Sequence, residues 1–216
     1  AAVKRGLKVL AITDHSAGLA VAGGLSVERL AEQRAEIERV QALLGGQILL
    51  LQGSEVEILS DGSLGYPDEV LAQLDLVIAS LHFSLRQPRE VITARLIGAM
   101  RNPHVDIIGH PSGRLLPERE GADLDWDAVL AAAVETQTAL EIDANPSRLD
   151  LDEVYARRAA DLGVLLTVDT DAHSPDHLDF LEYGLGVARR AWLEPRHLLN
   201  CRGDQEILAW LRERKG

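Results

Sequence analysis

The chain has 216 residues, 46% of them hydrophobic, and a formal charge of −12 at neutral pH. That length supports one α/β domain with a substantial core, and no apolar run approaches the roughly 20 residues needed to span a bilayer. The acidity argues against an independent nucleic-acid module, because such modules offer phosphate a basic face; a phosphate substrate would have to be drawn in by bound cations or by another domain.

Residues 1–6 read as the last turn of a helix, with two cations and then a glycine cap, Gly6. No N-cap, first turn or initiator methionine precedes it, so residues 1–216 are expected to be a single domain cut from a longer protein. The opening residues do not read as a basic-then-apolar secretory leader. A first strand over residues 8–12 leads to Thr13-Asp14-His15, and residues 18–24 read as a flexible loop. Ser26 caps a helix over 27–44, ended by Gly45-Gly46. A long strand over 47–58 is interrupted by Gly53-Ser54-Glu55. Pro67 fits the first turn of a short helix through Leu74. The strand 76–81 runs into His82, a helix covers 89–101, and the strand 105–109 runs into His110. After a loop rich in charge and proline, Asp125 or Asp127 opens a helix over 128–136. Residues 139–142 form a strand and 151–162 a helix stopped by Gly163. Residues 164–168 form the last clear strand, before Asp171-Ala172-His173, and Pro195 and Asp204 mark two terminal helices. The single cysteine, Cys201, excludes an internal disulfide, fits a reducing cytoplasm, and reads as a small apolar residue near the C-terminal helix.

Six strands alternating with helices predict a parallel α/β fold. No glycine-rich phosphate loop follows the first strand, which disfavours a dinucleotide-binding sheet. Polar groups at almost every strand end favour a barrel, and one further upstream strand would make seven.

Folds of this kind gather their functional groups at the C-terminal ends of the strands. His15, Glu55, His82, His110, Asp171 and His173 each follow an apolar, strand-like run, so four imidazoles and two carboxylates are expected at one mouth. Nitrogen and oxygen ligands in that mixture suit zinc, manganese or iron rather than calcium. Asp171 and His173, two apart in an extended segment, point the same way. Asp14 and His15 point opposite ways, which makes His15 the ligand and Asp14 either a partner that orients a histidine or a turn cap. Glu55 would be an expensive buried charge unless it met a cation. His104, His177 and His197 lack the strand-end context and read as structural or surface residues. Ser54 and Ser84 lack a strand–turn–helix nucleophile elbow, so serine chemistry does not compete. Paired metal ions, by contrast, supply both the nucleophile and the charge neutralisation that phosphodiester hydrolysis requires.

Several longer runs carry a family signature: Gly53-Ser54-Glu55-Val56-Glu57-Ile58-Leu59, Asp61-Gly62-Ser63-Leu64, Tyr66-Pro67-Asp68-Glu69-Val70-Leu71, Gly113-Arg114-Leu115-Leu116, Ala144-Asn145-Pro146, Arg148-Leu149-Asp150-Leu151 and Tyr183-Gly184-Leu185-Gly186. Over nearly the whole chain these resemble the PHP (polymerase and histidinol phosphatase) metalloesterases, most closely the C-terminal PHP domain of bacterial family X DNA polymerases. The resemblance implies a distorted seven-stranded βα, TIM-like barrel, with the first strand outside this chain. It also implies up to three divalent ions at the mouth, zinc or manganese, with magnesium or iron as alternatives. By similarity, His15 and His173 share one ion, while Glu55, His82 and His110 hold a second. Asp171 and Glu55 belong to a third, for which the family's His-x-His pair and a nearby Asp ligand are absent here. Asp143 and Asp169 stand where related domains often carry asparagine. The implied function is a 3′-to-5′ exonuclease of bacterial, cytoplasmic DNA repair, acting on DNA 3′ ends beside an upstream polymerase domain. Arg114, Asn145 and Arg148 would be phosphate contacts or structural turn residues. A histidinol-phosphatase-like enzyme for small phosphate esters and a non-catalytic scaffold are the alternatives.

Overall fold

Six parallel strands, paired strictly in chain order, form one curled sheet. They are β1 (Val9–Ile12), β2 (Leu49–Glu57), β3 (Leu76–Ser80), β4 (Ile107–Gly109), β5 (Ala139–Asp143) and β6 (Leu166–Asp169). The helices between and after them are α1 (Val27–Leu44), α2 (Asp68–Leu71), α3 (Arg89–Met100), α4 (Trp126–Thr136), α5 (Glu153–Asp161), α6 (Leu181–Arg190) and α7 (Asp204–Lys215). This computed structural model describes residues 1–17 and 23–215, so most of the loop expected over 18–24 lies outside the described residues. Among them no helix is long and apolar enough to cross a membrane.

Side-chain alternation divides the sheet into two faces. Val56, Val77, Ala79, Ile108, Leu140, Ile142, Leu166 and Val168 point outward into the main core, packed under the helices. Leu51, Leu76, Ile78, Ile107 and Ala139 point inward, where Leu199 and, from α7, Trp210 and Leu211 cover them. Climbing each inward row toward the strand C-termini, apolar residues give way to charge. On β2, Leu49 and Leu51 are followed by Gly53, Glu55 and Glu57; on β5, Ala139 is followed by Glu141 and Asp143. The concave side is thus apolar at its floor and ionisable at its mouth. The floor is locked by Arg214, whose nearly buried guanidinium donates to the carbonyls of Thr136 (2.7 Å) and Val105 and lies 3.5 Å from Asp106.

The six strands expected within this chain form a half-barrel, and among the described residues β1 and β6 do not pair with each other. Sequence and structure part company in three places. β2 is not interrupted at Gly53: its first half pairs with β1, and Gly53–Glu57 pairs with Leu76–Ser80 of β3. A glycine is needed at the changeover, because a Cβ on Gly53 would lie 2.8 Å from both the Leu76 carbonyl oxygen and the Thr13 methyl. Pro195 opens only a 3-10 turn, Pro195–His197. Finally, α6 lies where no helix was expected. Its glycines weaken helix propensity, yet Gly184 is what lets it approach β5 and β6.

A Cβ at Gly184 would sit 2.6 Å from Val168 Cγ1 and 2.7 Å from the Cβ of Ala144. Gly184→Ala gains about 1 kcal/mol of helix propensity but overpacks a rigid contact at about 1–3 kcal/mol. The expected result is a lower urea midpoint at unchanged m-value. A midpoint at or above that of the unaltered protein would show that α6 can shift outward freely.

Candidate metal centre

The inward rows carry the site. Glu55 lies on β2 with its side chain 10% exposed, and three imidazoles meet its carboxylate. His110 Nε2 is 2.9 Å and His82 Nε2 3.3 Å from Oε1, and His15 Nδ1 is 3.3 Å from Oε2. The rings form a row: His110 to His82 at 5.0 Å between centroids, His82 to His15 at 5.3 Å, and His15 to His173 at 6.3 Å. His15 follows β1 and His173 follows β6, so the curl of the sheet brings its two edges to one mouth.

Local backbone explains how each group points in. His15 extends the β1 direction far enough to bridge Glu55 in parallel register, and His82 continues the inward row of Leu76, Ile78 and Ser80. His110 breaks that alternation, following inward Gly109 directly. A left-handed φ of 27° turns it, and its N–H donates to the buried Glu141 carboxylate. Asp171 is also left-handed, at φ 44°. Such conformations cost energy outside glycine and persist where the surroundings fix them. Asp171 Oδ1 lies 3.7 Å from His173 Nδ1, and the exposed His173 ring contacts the Asp171 carbonyl oxygen at 2.8 Å.

All six expected ligands therefore lie at one rim, and Glu57 joins them. It is two residues beyond Glu55 on the same inward row, fully buried, with Oε1 3.4 Å from His15 Nδ1 and 3.9 Å from His82 Nδ1. Glu55 and Glu57 alternate along an extended strand, so the signal was present in the sequence, whereas the left-handed Asp171 lies beyond β6 and 171–173 is not the extended segment expected. Two ligand sets emerge, Glu55–His82–His110 and His15–Glu57–His82. The first is the set that the resemblance assigns to one ion.

Four residues were expected in one of two roles, and their surroundings differ. Asp14 orients no histidine: it is exposed and accepts from Gln33 of α1. Arg114 reaches from the loop after β4 into the loop after β5, donating Nε to the Arg148 carbonyl (2.7 Å) and Nη2 to that of Leu149, with Asp152 3.6 Å from Nη1. Asn145 spends its side-chain oxygen on Ser147, whose N–H and hydroxyl both donate to it, at 3.1 and 2.8 Å. Arg114 thus ties two loops together, and Asn145 builds its own turn. Arg148 is different. Its Nε lies 3.3 Å from Asp143 and 3.7 Å from Asp171, and its buried Nη1 has no hydrogen-bond partner among the described residues.

Chemically, the donors fit a divalent cation better than they fit each other. Burial opposes ionisation of Glu55, but His110 and His82 hold its carboxyl well below the usual range. Glu57 raises the His15 pKa, with Glu55 and Asp171 adding to the effect. Burial lowers the His110 pKa, but Glu55 outweighs it. The Nδ1 atoms of His15, His82 and His110 and Oε1 of Glu57 are buried without hydrogen-bond partners among the described residues. Orphaned atoms of this kind are rare in native interiors without an ion or water to meet them. Beside them, burial and the Asp171 and Asp169 charges push Asp143 up to about 8, and burial pushes Glu141 and Asp169 upward too.

A pH dependence follows. Asp143 holds its proton in the folded state far above its ordinary value of 3.8, so its contribution falls as pH rises from about 4 toward 8. His15 and His110, also raised, lose theirs above pH ~6.5. The lowered Glu55 acts oppositely, but only in acid, below its ordinary value of 4.5. The metal-free protein is therefore expected to melt at progressively lower temperature at pH 5, 6.5 and 8, followed by circular dichroism. A melting temperature that climbs over this range contradicts these environments.

The fold and this rim define a parallel βα half-barrel with a histidine–carboxylate centre at its strand C-termini. No family model matches the chain. It is 45% identical over 212 residues to the DNA polymerase/3′-5′ exonuclease PolX of Bacillus subtilis, covering 98% of this chain and 37% of that protein's length. A probable phosphatase of Thermoanaerobacter sp. (strain X514) is 32% identical over 224 residues, covering 99% of this chain and 86% of the relative. Among solved structures, the histidinol phosphate phosphatase of Lactococcus lactis, crystallised with zinc, L-histidinol and phosphate, superposes with a TM-score of 0.60 at 15% identity, covering 89% of this chain and 85% of that one. A putative histidinol phosphatase from Listeria monocytogenes gives 0.64 at 14%, covering 82% and 88%. The chain belongs to the PHP family and is related to the PHP region of PolX.

Proposed function

We propose that this chain is a metal-dependent phosphoesterase acting as the 3′-to-5′ exonuclease domain of a family X DNA polymerase in bacterial DNA repair. The observation that carries the reading is Glu55 within 3.3 Å of three imidazoles at the mouth of the half-barrel. Glu55, His82 and His110 would hold one ion, and His15, Asp171 and His173 would serve the neighbouring positions. Divalent ions in such a site supply Lewis acidity toward a phosphoryl oxygen and lower the pKa of water. The chain's own part is to fix these donors in a partly dry rim and to bind substrate. Arg148, backed by Asp143 and Asp171, offers an unspent N–H to a non-bridging phosphate oxygen. The −12 charge makes a polyanion a poor partner for this domain alone, consistent with DNA held by an attached polymerase domain.

The test is product analysis with manganese and, separately, zinc, on this domain joined to the polymerase domain proposed for its parent. A 5′-labelled single-stranded oligonucleotide is compared with histidinol phosphate and other small monoesters. Stepwise shortening from the 3′ end is the expected result. Turnover of the monoesters with an intact oligonucleotide would instead favour a small-molecule phosphatase, and turnover of neither a scaffold.

A further inference from the structure

We infer that Glu57 is a positioning residue that accepts Nδ1–H from both His15 and His82, fixing the tautomer that presents Nε2 to the metal centre. The inference rests on the metal reading of the rim and adds a role for a residue outside the six ligands. Glu57 ends β2 on the inward row, and its side chain is fully buried. Ser16, also fully buried, donates its hydroxyl to Oε2. Gly65 closes the other side, since a Cβ there would lie 3.0 Å from Oε2 and still nearer the Ser16 hydroxyl. With Oε2 occupied, Oε1 faces the two ring nitrogens, His15 Nδ1 at 3.4 Å and His82 Nδ1 at 3.9 Å.

The position of His82 decides between a ligand and an orienting base. A neutral imidazole has one lone pair and one N–H. His82 Nε2 faces the Glu55–His110 set at 3.3 Å, while Nδ1 faces Glu57. If Nε2 keeps the lone pair for the metal, Nδ1 carries the proton, and Glu57 Oε1, 3.9 Å away, is the carboxylate oxygen it faces, a gap that about 1 Å of movement closes to a hydrogen bond. The same assignment for His15, whose Nδ1 lies 3.3 Å from Glu55 and 3.4 Å from Glu57, frees its Nε2. A buried carboxylate oxygen between two N–H donors is satisfied, whereas between two lone pairs it would be repelled. Metal-ligating histidines commonly have their second nitrogen held in this way, and loss of the holding group costs about 10–100-fold in metal affinity.

Two measurements test this. In metal-free wild-type protein, at a pH where the rings are neutral, long-range proton–nitrogen NMR is expected to show Nδ1–H tautomers for His15 and His82; Nε2–H on either overturns the inference for that ring. Glu57→Gln keeps the shape and removes the charge. Competition with a chromogenic chelator is expected to show zinc bound about 10–100-fold more weakly with the same number of ions at saturation. One ion fewer would make Glu57 a ligand, and unchanged affinity would make it a bystander; either result overturns the inference. If the variant does not fold, the wild-type tautomers decide alone. Wild-type protein that binds no zinc at all would overturn the metal reading itself, a different outcome from any of these.

Discussion

Replacing Glu55 by glutamine is expected to reduce hydrolysis of a chromogenic phosphodiester by on the order of 10³-fold at saturating metal, a loss of about 4 kcal/mol in transition-state stabilisation. The carboxylate is the hub on which His110, His82 and His15 converge, and the amide keeps its size but not its charge. The three imidazoles then face a neutral group that cannot bridge cations, and the Glu55–His82–His110 set loses its only anionic donor. His110→Ala is expected to act similarly, since His110 makes the shortest contact to Glu55, at 2.9 Å. In a parent that carries a polymerase domain, nucleotide incorporation should persist in both variants. The measurement is kcat/KM with folding checked by circular dichroism. A Glu55→Gln protein within threefold of wild type, with contaminating enzyme excluded, would remove the rim from the chemistry.

The second large effect concerns stability. Arg95 of α3 is 5% exposed, and its guanidinium serves carbonyls from two site-bearing loops: Leu59 at 2.9 Å and Ile58 at 2.7 Å after β2, and Phe83 at 3.2 Å directly after His82. It also donates to the side chain of Gln87 at 2.5 Å. Burial pulls its pKa below the ordinary guanidinium range, but the carbonyls hold the cation. Methionine would fill the volume and leave several buried acceptors unpaired, each costing about 1–3 kcal/mol. With partial relief by water, Arg95→Met is expected to lose about 3–5 kcal/mol in urea unfolding. Zinc affinity should fall as well, because His82 shares that loop. A loss below about 1 kcal/mol would mean that the loops hold their shape without the guanidinium.

Strand ends were the most legible part of the sequence. An apolar run stopping at histidine or carboxylate marks where a parallel strand leaves the core, and His82, His110, Asp171 and His173 were read from that transition alone. Glu57 was overlooked because Gly53 was taken as a break, when it is the point at which β2 changes partners from β1 to β3. Helix α6 was hidden by Gly184, whose missing side chain serves packing against Ala144 and Val168, a tertiary demand that propensity cannot show. The commitments of Arg114 and Asn145 depend on which carbonyl or amide each loop folds back upon, and this has no periodic trace in sequence. Even Asp14 followed its rule, since alternation sends it outward from His15; only its partner in α1 was out of reach.

The anchoring of Arg214 makes α7 a point of vulnerability. Arg214→Ala would remove the guanidinium from Asp106 and from the carbonyls of Val105 and Thr136. It would also loosen the Trp210 and Leu211 stopper that keeps water from the inner apolar face. Damage at α7 would thus be transmitted up the inside of the sheet and registered at the opposite rim as weaker metal retention.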